Sequence, residues 1–172
     1  EVLRSKHSLV KIWSGDARNI SFLSDNTFDV TIMFGPCYHL IGDEEKLKAI
    51  AEAKRVTKKD GIIMIAYTMN EYSVLPYCLL ENRLHNINLK NGLSELYDYV
   101  RIEDINRLNK LAGLERLVVF SPDGPSDYMR RELNAMDDET FSEYKKYVLS
   151  VSSRPDLIGA GSHVVDVLKN SD

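Results

Sequence analysis

The stretch that most constrains this chain is Phe28-Asp29-Val30-Thr31-Ile32-Met33-Phe34, an apolar run rich in β-branched and aromatic residues that stops at Gly35-Pro36. Its apolar residues run on with little alternation, which reads as a buried, parallel strand. A helix is predicted next. Asp43 suits its N-cap, with Glu44 and Glu45 in the first turn. Leu47, Ile50, Ala51, Lys54 and Val56 keep a roughly helical spacing, Arg55, Lys58 and Lys59 lie in or just past the last turn, and Asp60-Gly61 ends it. Ile62 to Tyr67 then reads as a second buried strand. Strand, helix, strand of these lengths is a crossover that forces parallel pairing. Upstream, Leu9 to Trp13 reads as a further strand ending at Ser14-Gly15-Asp16. In open α/β sheets ligands bind beyond the carboxyl ends of the strands. Asp16 and the loop Gly35 to His39 occupy those ends, so a site is expected there.

The remainder is mostly helical in pattern. Leu75, Leu79, Leu80 and Leu84 suggest an amphipathic helix within Tyr72 to Leu89, with Pro76 near its first turn and a polar stretch, Asn86 to Ser94, after it. Arg101-Ile102-Glu103-Asp104 opens a helix with Ile105, Leu108 and Leu111-Ala112 on one face, stopped by Gly113. Glu115 to Phe120 is a strand and Pro122-Asp123-Gly124-Pro125 a turn. Two helices are expected over Ser126 to Met136 and Asp138 to Val151, the second broken by Arg154-Pro155. His163 to Leu168 is a final strand.

Composition narrows the function classes. At 172 residues and 44% hydrophobic, the chain suits one globular domain with a real core. A net charge of −4 and no long Lys or Arg block disfavour a nucleic-acid partner. No apolar stretch approaches the ~20 residues of a membrane span, and no secretory signal pattern is present. Cys37 and Cys78 have neither CxxC nor zinc-ligand spacing. No metal is expected, and a reduced, cytoplasmic protein is the default.

In order and spacing, GDARNISFLSDNTFDVTIMFGPCYHL, EEKLKAIAEAKRVTKKDG, IIMIAYT, RIEDINRLNKLAGLERLVVF and SHVVDVLKN together resemble a class I S-adenosylmethionine-dependent methyltransferase, most of all the bacterial small-molecule group. The resemblance covers nearly the whole chain. It implies an α/β, Rossmann-like fold, a mostly parallel sheet with an antiparallel last strand. Residues 1–172 would form one such domain, with helical substrate-cover segments at about 70–100 and 125–152. S-adenosylmethionine would be the cofactor and a small molecule the substrate. Asp16 would accept from the adenine amino group, the Ala17 N–H would donate to an adenine ring nitrogen, and Phe34 and Gly35 would lie beside the methionine part. Tyr38 and His39 would face the transferred methyl or the substrate. Residue chemistry agrees: a carboxylate past a strand end can read an exocyclic amine, and a Gly admits close backbone approach. Methyl transfer from a sulfonium depends mostly on in-line positioning.

Plainer readings stand beside these. Asp16 also reads as a turn residue, Gly35-Pro36 as a strand terminator, and His39 as a packed loop histidine. Cys37 and His39, two apart, form a weak nucleophile–base candidate because no third orienting group is evident. Gly159-Ala160-Gly161 precedes a strand instead of opening a helix, the wrong context for a dinucleotide fingerprint. Amine methyltransferases acting on DNA bases carry an Asn or Asp where Gly35 stands and a proline where Cys37 stands, which argues against a base-amine substrate. The nine tyrosines suggest an aromatic-lined small-molecule pocket, with Tyr144 and Tyr147 read as packing residues.

The family's glycine-rich loop and ribose-binding acidic residue have no counterpart upstream of Asp16, so an N-terminal portion of the fold is expected to be missing. That would leave the Phe28–Phe34 strand with a free edge. The expected outcomes are direct pairing of the Ile12 strand with Phe28–Phe34, homodimer formation through the exposed edge, or further residues upstream in the natural protein. The alternatives to a methyltransferase are a non-catalytic fragment or another nucleotide- or NAD-binding α/β protein.

Overall fold

The computed structural model describes residues 11–79, 82 and 97–171. Four strands form one sheet in the order β1 (Phe28–Met33), β2 (Thr57–Thr68), β4 (His163–Lys169), β3 (Glu115–Phe120). β1 and β2 are parallel, and β4 runs antiparallel to both β2 and β3. Three strands therefore point one way and the last runs back between two of them. This is the mixed, Rossmann-like arrangement with an antiparallel last strand that the sequence implies.

The crossover is carried by α1 (Pro36–His39), a single turn, and α2 (Asp43–Val56). Gly42, at φ +84°, precedes α2 as its cap, and Asp43 is its first residue instead. The Asp43 carboxylate is drawn away by Arg107, at 2.8 and 3.1 Å. The buried stripe of α2 also differs from the expected one: Lys46, Ala49, Ile50, Ala53 and Val56 face inward, while Ala51 is exposed. The helix ends at Val56, and the Asp60-Gly61 punctuation falls inside β2, not at the helix end. There Asp60 takes φ +61° and the register jumps from Phe28↔Thr57 to Val30↔Ile62. Gly61 is required at that kink, because a Cβ would come within 2.9 Å of the Asp29 carbonyl oxygen and 2.8 Å of that of Lys58.

One face of the sheet is closed by α2 and α4 (Ile102–Ala112). Arg101 N–H donates to Asp104 at 2.9 Å to cap α4, and Gly113 ends it at φ +64°. Ile63, Ile65 and Leu168 from the sheet meet Ile50, Ile105 and Leu108 from the helices, all fully buried. Each such side chain contributes roughly 1.5–3 kcal/mol. Within this layer Asp166, fully buried, accepts from Arg116 at 2.7 and 2.8 Å and from Asn109 at 2.7 Å. β1 is parallel to β2 as read but is not the buried strand expected: only Met33 is buried, and Val30 and Ile32 are 50% and 60% exposed, because no described helix covers that face. Their neighbours in register, Ile62 and Met64, lie on the same face.

Among the described residues β1 pairs only with β2. Leu9 and Val10 lie outside the described residues, and Lys11–Trp13 are not strand, so among the described residues no part of the expected Ile12 strand pairs with β1. Two local interactions redirect the chain. Trp13 packs on Phe22, with ring centroids 5.4 Å apart, and Asp16 and Asn19 close a tight turn.

After β2 come α3 (Asn70–Ser73) and a π-helical turn, Val74–Leu79. The remainder of the helix expected to Leu89 and the polar stretch Asn86 to Ser94 lie, apart from residue 82, outside the described residues. Beyond β3, a 3-10 turn (Ser126–Met129) leads into α5 (Arg130–Asn134), so the helix expected over Ser126 to Met136 is two short pieces. α6 (Asp138–Val151) is capped by the Asp137 carboxylate, which accepts from Thr140 N–H at 2.8 Å. Tyr144 bonds Ser126 at 3.0 Å, whereas Tyr147 is 55% exposed and is not the packing residue its spacing suggested.

Candidate functional site

The carboxyl ends of β1 and β2 and the start of β4 share one edge of the sheet, because β4 is antiparallel. Thr68 closes β2 directly opposite His163, which opens β4. Just past β1, Gly35 adopts φ +130°, a conformation that L side chains rarely reach. That kink starts α1, whose Pro36, Cys37, Tyr38 and His39 fold back over the end of the sheet. Cys37 is fully buried and burial pushes its thiol up to about 12, so it is no nucleophile.

A strap, Tyr97 to Val100, lies across this edge and is held at several points. Asp98 N–H donates to the Tyr38 carbonyl at 2.9 Å, Val100 N–H to Thr68 at 3.0 Å, and Asn70 N–H to Val100 at 2.9 Å. The Asp98 carboxylate accepts from Gly42 N–H at 2.7 Å and pairs with Lys46. Lys46 is 1% exposed and also donates to the Leu40 carbonyl at 2.7 Å. This buried pair fastens the strap to the loop that carries Tyr38. Ring centroids of Tyr97 then lie 6.1 Å from Tyr38, 5.0 Å from His39 and 6.1 Å from Tyr99.

The result is a cavity of about 220 Å³. Four tyrosines, Tyr38, Tyr72, Tyr97 and Tyr99, line it together with Thr68, Asp127, Ser162 and His163. The Nδ1 of His163 lies 2.8 Å from Asp123 Oδ2, and its ring sits edge-on to Tyr38 at 6.0 Å. A carboxylate only accepts, so Nδ1 carries the proton. The bond to Asp123 raises the His163 pKa above its ordinary value against the opposing effect of burial. Tyr72 donates to Asp127 at 2.9 Å. Burial works against the Asp127 charge, but bonds from Arg130, Tyr72 and Ser162 outweigh it and hold its pKa below the usual range.

His39 belongs to the aromatic cluster, 5.0 Å from Tyr38, but is exposed and does not line the cavity. Sequence reasoning missed His163, Asp123 and Asp127. The signal was present in the topology: an antiparallel last strand starts at the very edge where the parallel strands end.

Asp16 sits on a separate arm. Its carboxylate accepts from Arg18 N–H at 2.9 Å and from the Arg18 guanidinium, which also reaches Glu45 in the first turn of α2. The side-chain bond from Arg18 draws the Asp16 pKa down to about 2. Farther along, Glu52 accepts from Ile20 N–H at 2.8 Å, and Arg55 donates to the Ile20 and Leu23 carbonyls at 3.1 and 2.8 Å. Arg55 thus staples this loop to α2 as well as sitting at the helix end. Ala17 packs against the core, while Phe34 is 52% exposed beside the Gly35 kink. An exposed carboxylate and a glycine-opened backbone fit the adenine and methionine ends of S-adenosylmethionine. For the adenine amine, the Asp16 carboxylate must share its oxygens with Arg18.

A larger hollow, about 960 Å³, is a different place, an open groove between the starts of α2 and α4. Most of its charges pair with one another, Arg107 with Asp43, Arg101 with Glu71 and Lys46 with Asp98. It lacks the convergent tyrosines of the smaller cavity.

A family model described as a methyltransferase domain matches residues 1–65. No curated protein matches the sequence. Solved structures match over most of its length. A Thermotoga maritima protein described as a SAM-dependent methyltransferase, possible histamine N-methyltransferase, is 19% identical with a TM-score of 0.53, over 94% of this chain and 64% of that one. A Methanosarcina mazei SAM-dependent methyltransferase is 13% identical with a TM-score of 0.54, over 90% and 64%. One from Archaeoglobus fulgidus is 12% identical with a TM-score of 0.53, over 92% and 66%. At these identities the likeness establishes the fold. The chain spans 64% of the length of the Thermotoga and Methanosarcina proteins. In sequence over residues 1–65 and in fold over nine-tenths of its length, it resembles the S-adenosylmethionine-dependent methyltransferases, whose cofactor is S-adenosylmethionine.

Proposed function

We propose that this chain contributes to S-adenosylmethionine-dependent methyl transfer onto a small molecule. The observation that carries the reading is the convergence of the Gly35 kink, the exposed Phe34 and the tyrosine cavity at the carboxyl edge of a methyltransferase-like sheet. Asp16 and Ala17 would hold the adenine, and Phe34 and Gly35 the methionine part. The cofactor supplies an electrophilic methyl group on a sulfonium. Tyr38 and the strap tyrosines orient the substrate and keep water from it, and His39 flanks the entrance. Positioning of this kind accounts for most of the rate in such transfers. Among the described residues β1 is an edge strand, which supports pairing of two chains, and the net charge of −4 supports a partner other than nucleic acid.

Calorimetry of the full chain with S-adenosylhomocysteine tests the reading. Binding is expected, with Asp16→Ala weakening it about tenfold, the scale of one lost charge-assisted hydrogen bond. Binding of NADH in preference to S-adenosylhomocysteine would replace this reading with that of a nicotinamide-binding protein. An unchanged affinity in Asp16→Ala would reduce Asp16 to a turn residue.

A further inference from the structure

The tyrosine cavity carries more chemistry than positioning needs. Among the described residues no Lys or Arg lines it, whereas the Asp127 carboxylate does, with Oδ1 paired to Arg130 at 2.6 Å outside the lining and Oδ2 accepting from Tyr72. Four tyrosines line it, and an aromatic ring attracts a cation held over its face within about 6 Å of its centroid. Thr68, 8% exposed, has a hydroxyl with no partner among the described residues, and a buried hydroxyl calls for one. His163 is oriented by Asp123 through Nδ1 and through its own backbone N–H, which donates to Asp123 at 3.3 Å. Asp123 is itself pinned. A Cβ at Gly161 would come within 3.2 Å of its Oδ1 and 2.2 Å of Ser121 Oγ, so the loop closes on it only because position 161 is glycine. In the neutral ring, with Nδ1–H given to Asp123, the Nε2 of His163 is left as an acceptor. A volume of about 220 Å³ limits the ligand to a small molecule.

We propose that this cavity takes the ammonium head of a small primary or secondary amine, with His163 Nε2 placed to receive its proton. The N–H bond of the ammonium breaks, the new N–H bond forms on Nε2, and the electron pair stays on the amine nitrogen. Asp123 stabilises the resulting imidazolium. Only the neutral amine is a nucleophile, so the proton step rests on the methyl-transfer reading above, while recognition of the cation by the tyrosines and Asp127 does not.

The full chain is titrated with benzylamine and, separately, with benzyl alcohol, which has nearly the same shape without the charge. Affinity is read by calorimetry and the His163 imidazole signal by NMR, assigned by its loss in His163→Gln. Benzylamine is expected to bind about tenfold more tightly than the alcohol, the scale of a desolvated cation–π contact, and to move the His163 signal. Asp127→Asn is expected to remove most of that preference. Tyr97→Leu, which leaves the Tyr72–Asp127 bond intact, is expected to do the same and serves if Asp127→Asn fails to fold. Equal or tighter binding of benzyl alcohol, or benzylamine binding that leaves the His163 signal unmoved, overturns the proposal. S-adenosylhomocysteine is titrated in parallel. Its binding without an amine preference overturns the amine site alone, and an amine preference without its binding overturns the methyl-transfer reading alone.

Discussion

The two halves of the candidate site are built in opposite ways. The Asp16 arm is held by an exposed ion pair two residues long, extended by Arg18 to Glu45 on α2. The tyrosine cavity is assembled from α1, the end of β2, α3, the strap, the 3-10 turn after β3 and the start of β4. A buried Lys46–Asp98 pair locks it. Charge near water is cheap to make and contributes little. Charge under the surface must be matched, and losing one partner is costly. The first half should therefore tolerate substitution and the second should not.

The strongest way to break this contrast is Asp98→Ala. It leaves Lys46 buried without its carboxylate and should cost about 3 kcal/mol or more, lowering Tm by roughly 10 °C for a chain of this size. Thermal unfolding checks it, and a loss no larger than that of Asp16→Ala would mean that the strap is held by its backbone bonds alone. Gly35→Ala comes next. A side chain at φ +130° is strained, and the substitution should cost about 1–3 kcal/mol. Denaturant unfolding measures that cost, and displacement of Tyr38 should change the His163 NMR signal.

Asp123→Asn should have a smaller effect with a clear sign. The bond from Asp123 raises the folded-state pKa of His163. Its contribution is therefore fully present below the unfolded value of about 6.5 and is lost as pH rises through the folded pKa. The stability gap between the natural chain and Asp123→Asn should shrink as pH rises above the ordinary histidine value of 6.5. A gap that widens would show that His163 is held neutral instead. The smallest effect belongs to Asp16→Asn. The Asp16 pKa is lowered to about 2, so any contribution is present above its ordinary 3.8 and fades as pH falls toward 2. Its carboxylate is exposed, and unfolding at neutral pH should be unchanged.

The sequence by itself determined the order of the four strands of the sheet and the two helices that close one of its faces. The apolar run of β1, the helix α4, the Gly113 stop and the turn at Pro122 to Pro125 are local matters of periodicity and backbone freedom, and they stand where they were read, while α2 is present with an earlier end and a different buried stripe. It also marked Gly35 and the loop behind it as the place for a site. Tertiary structure decided the rest. The Asp60-Gly61 pair, which locally ends a helix, became a kink within β2 because the ladder to β1 reached back to Thr57. Lys46, a surface residue by type, went inside because Asp98 came from 52 residues away to meet it. His163 joined Tyr38 because β4 runs antiparallel and starts where β1 and β2 finish. Periodicity and turn chemistry act within a few residues and can be read from a chain. A pairing between distant groups is set by which surfaces the packed sheet and helices bring together.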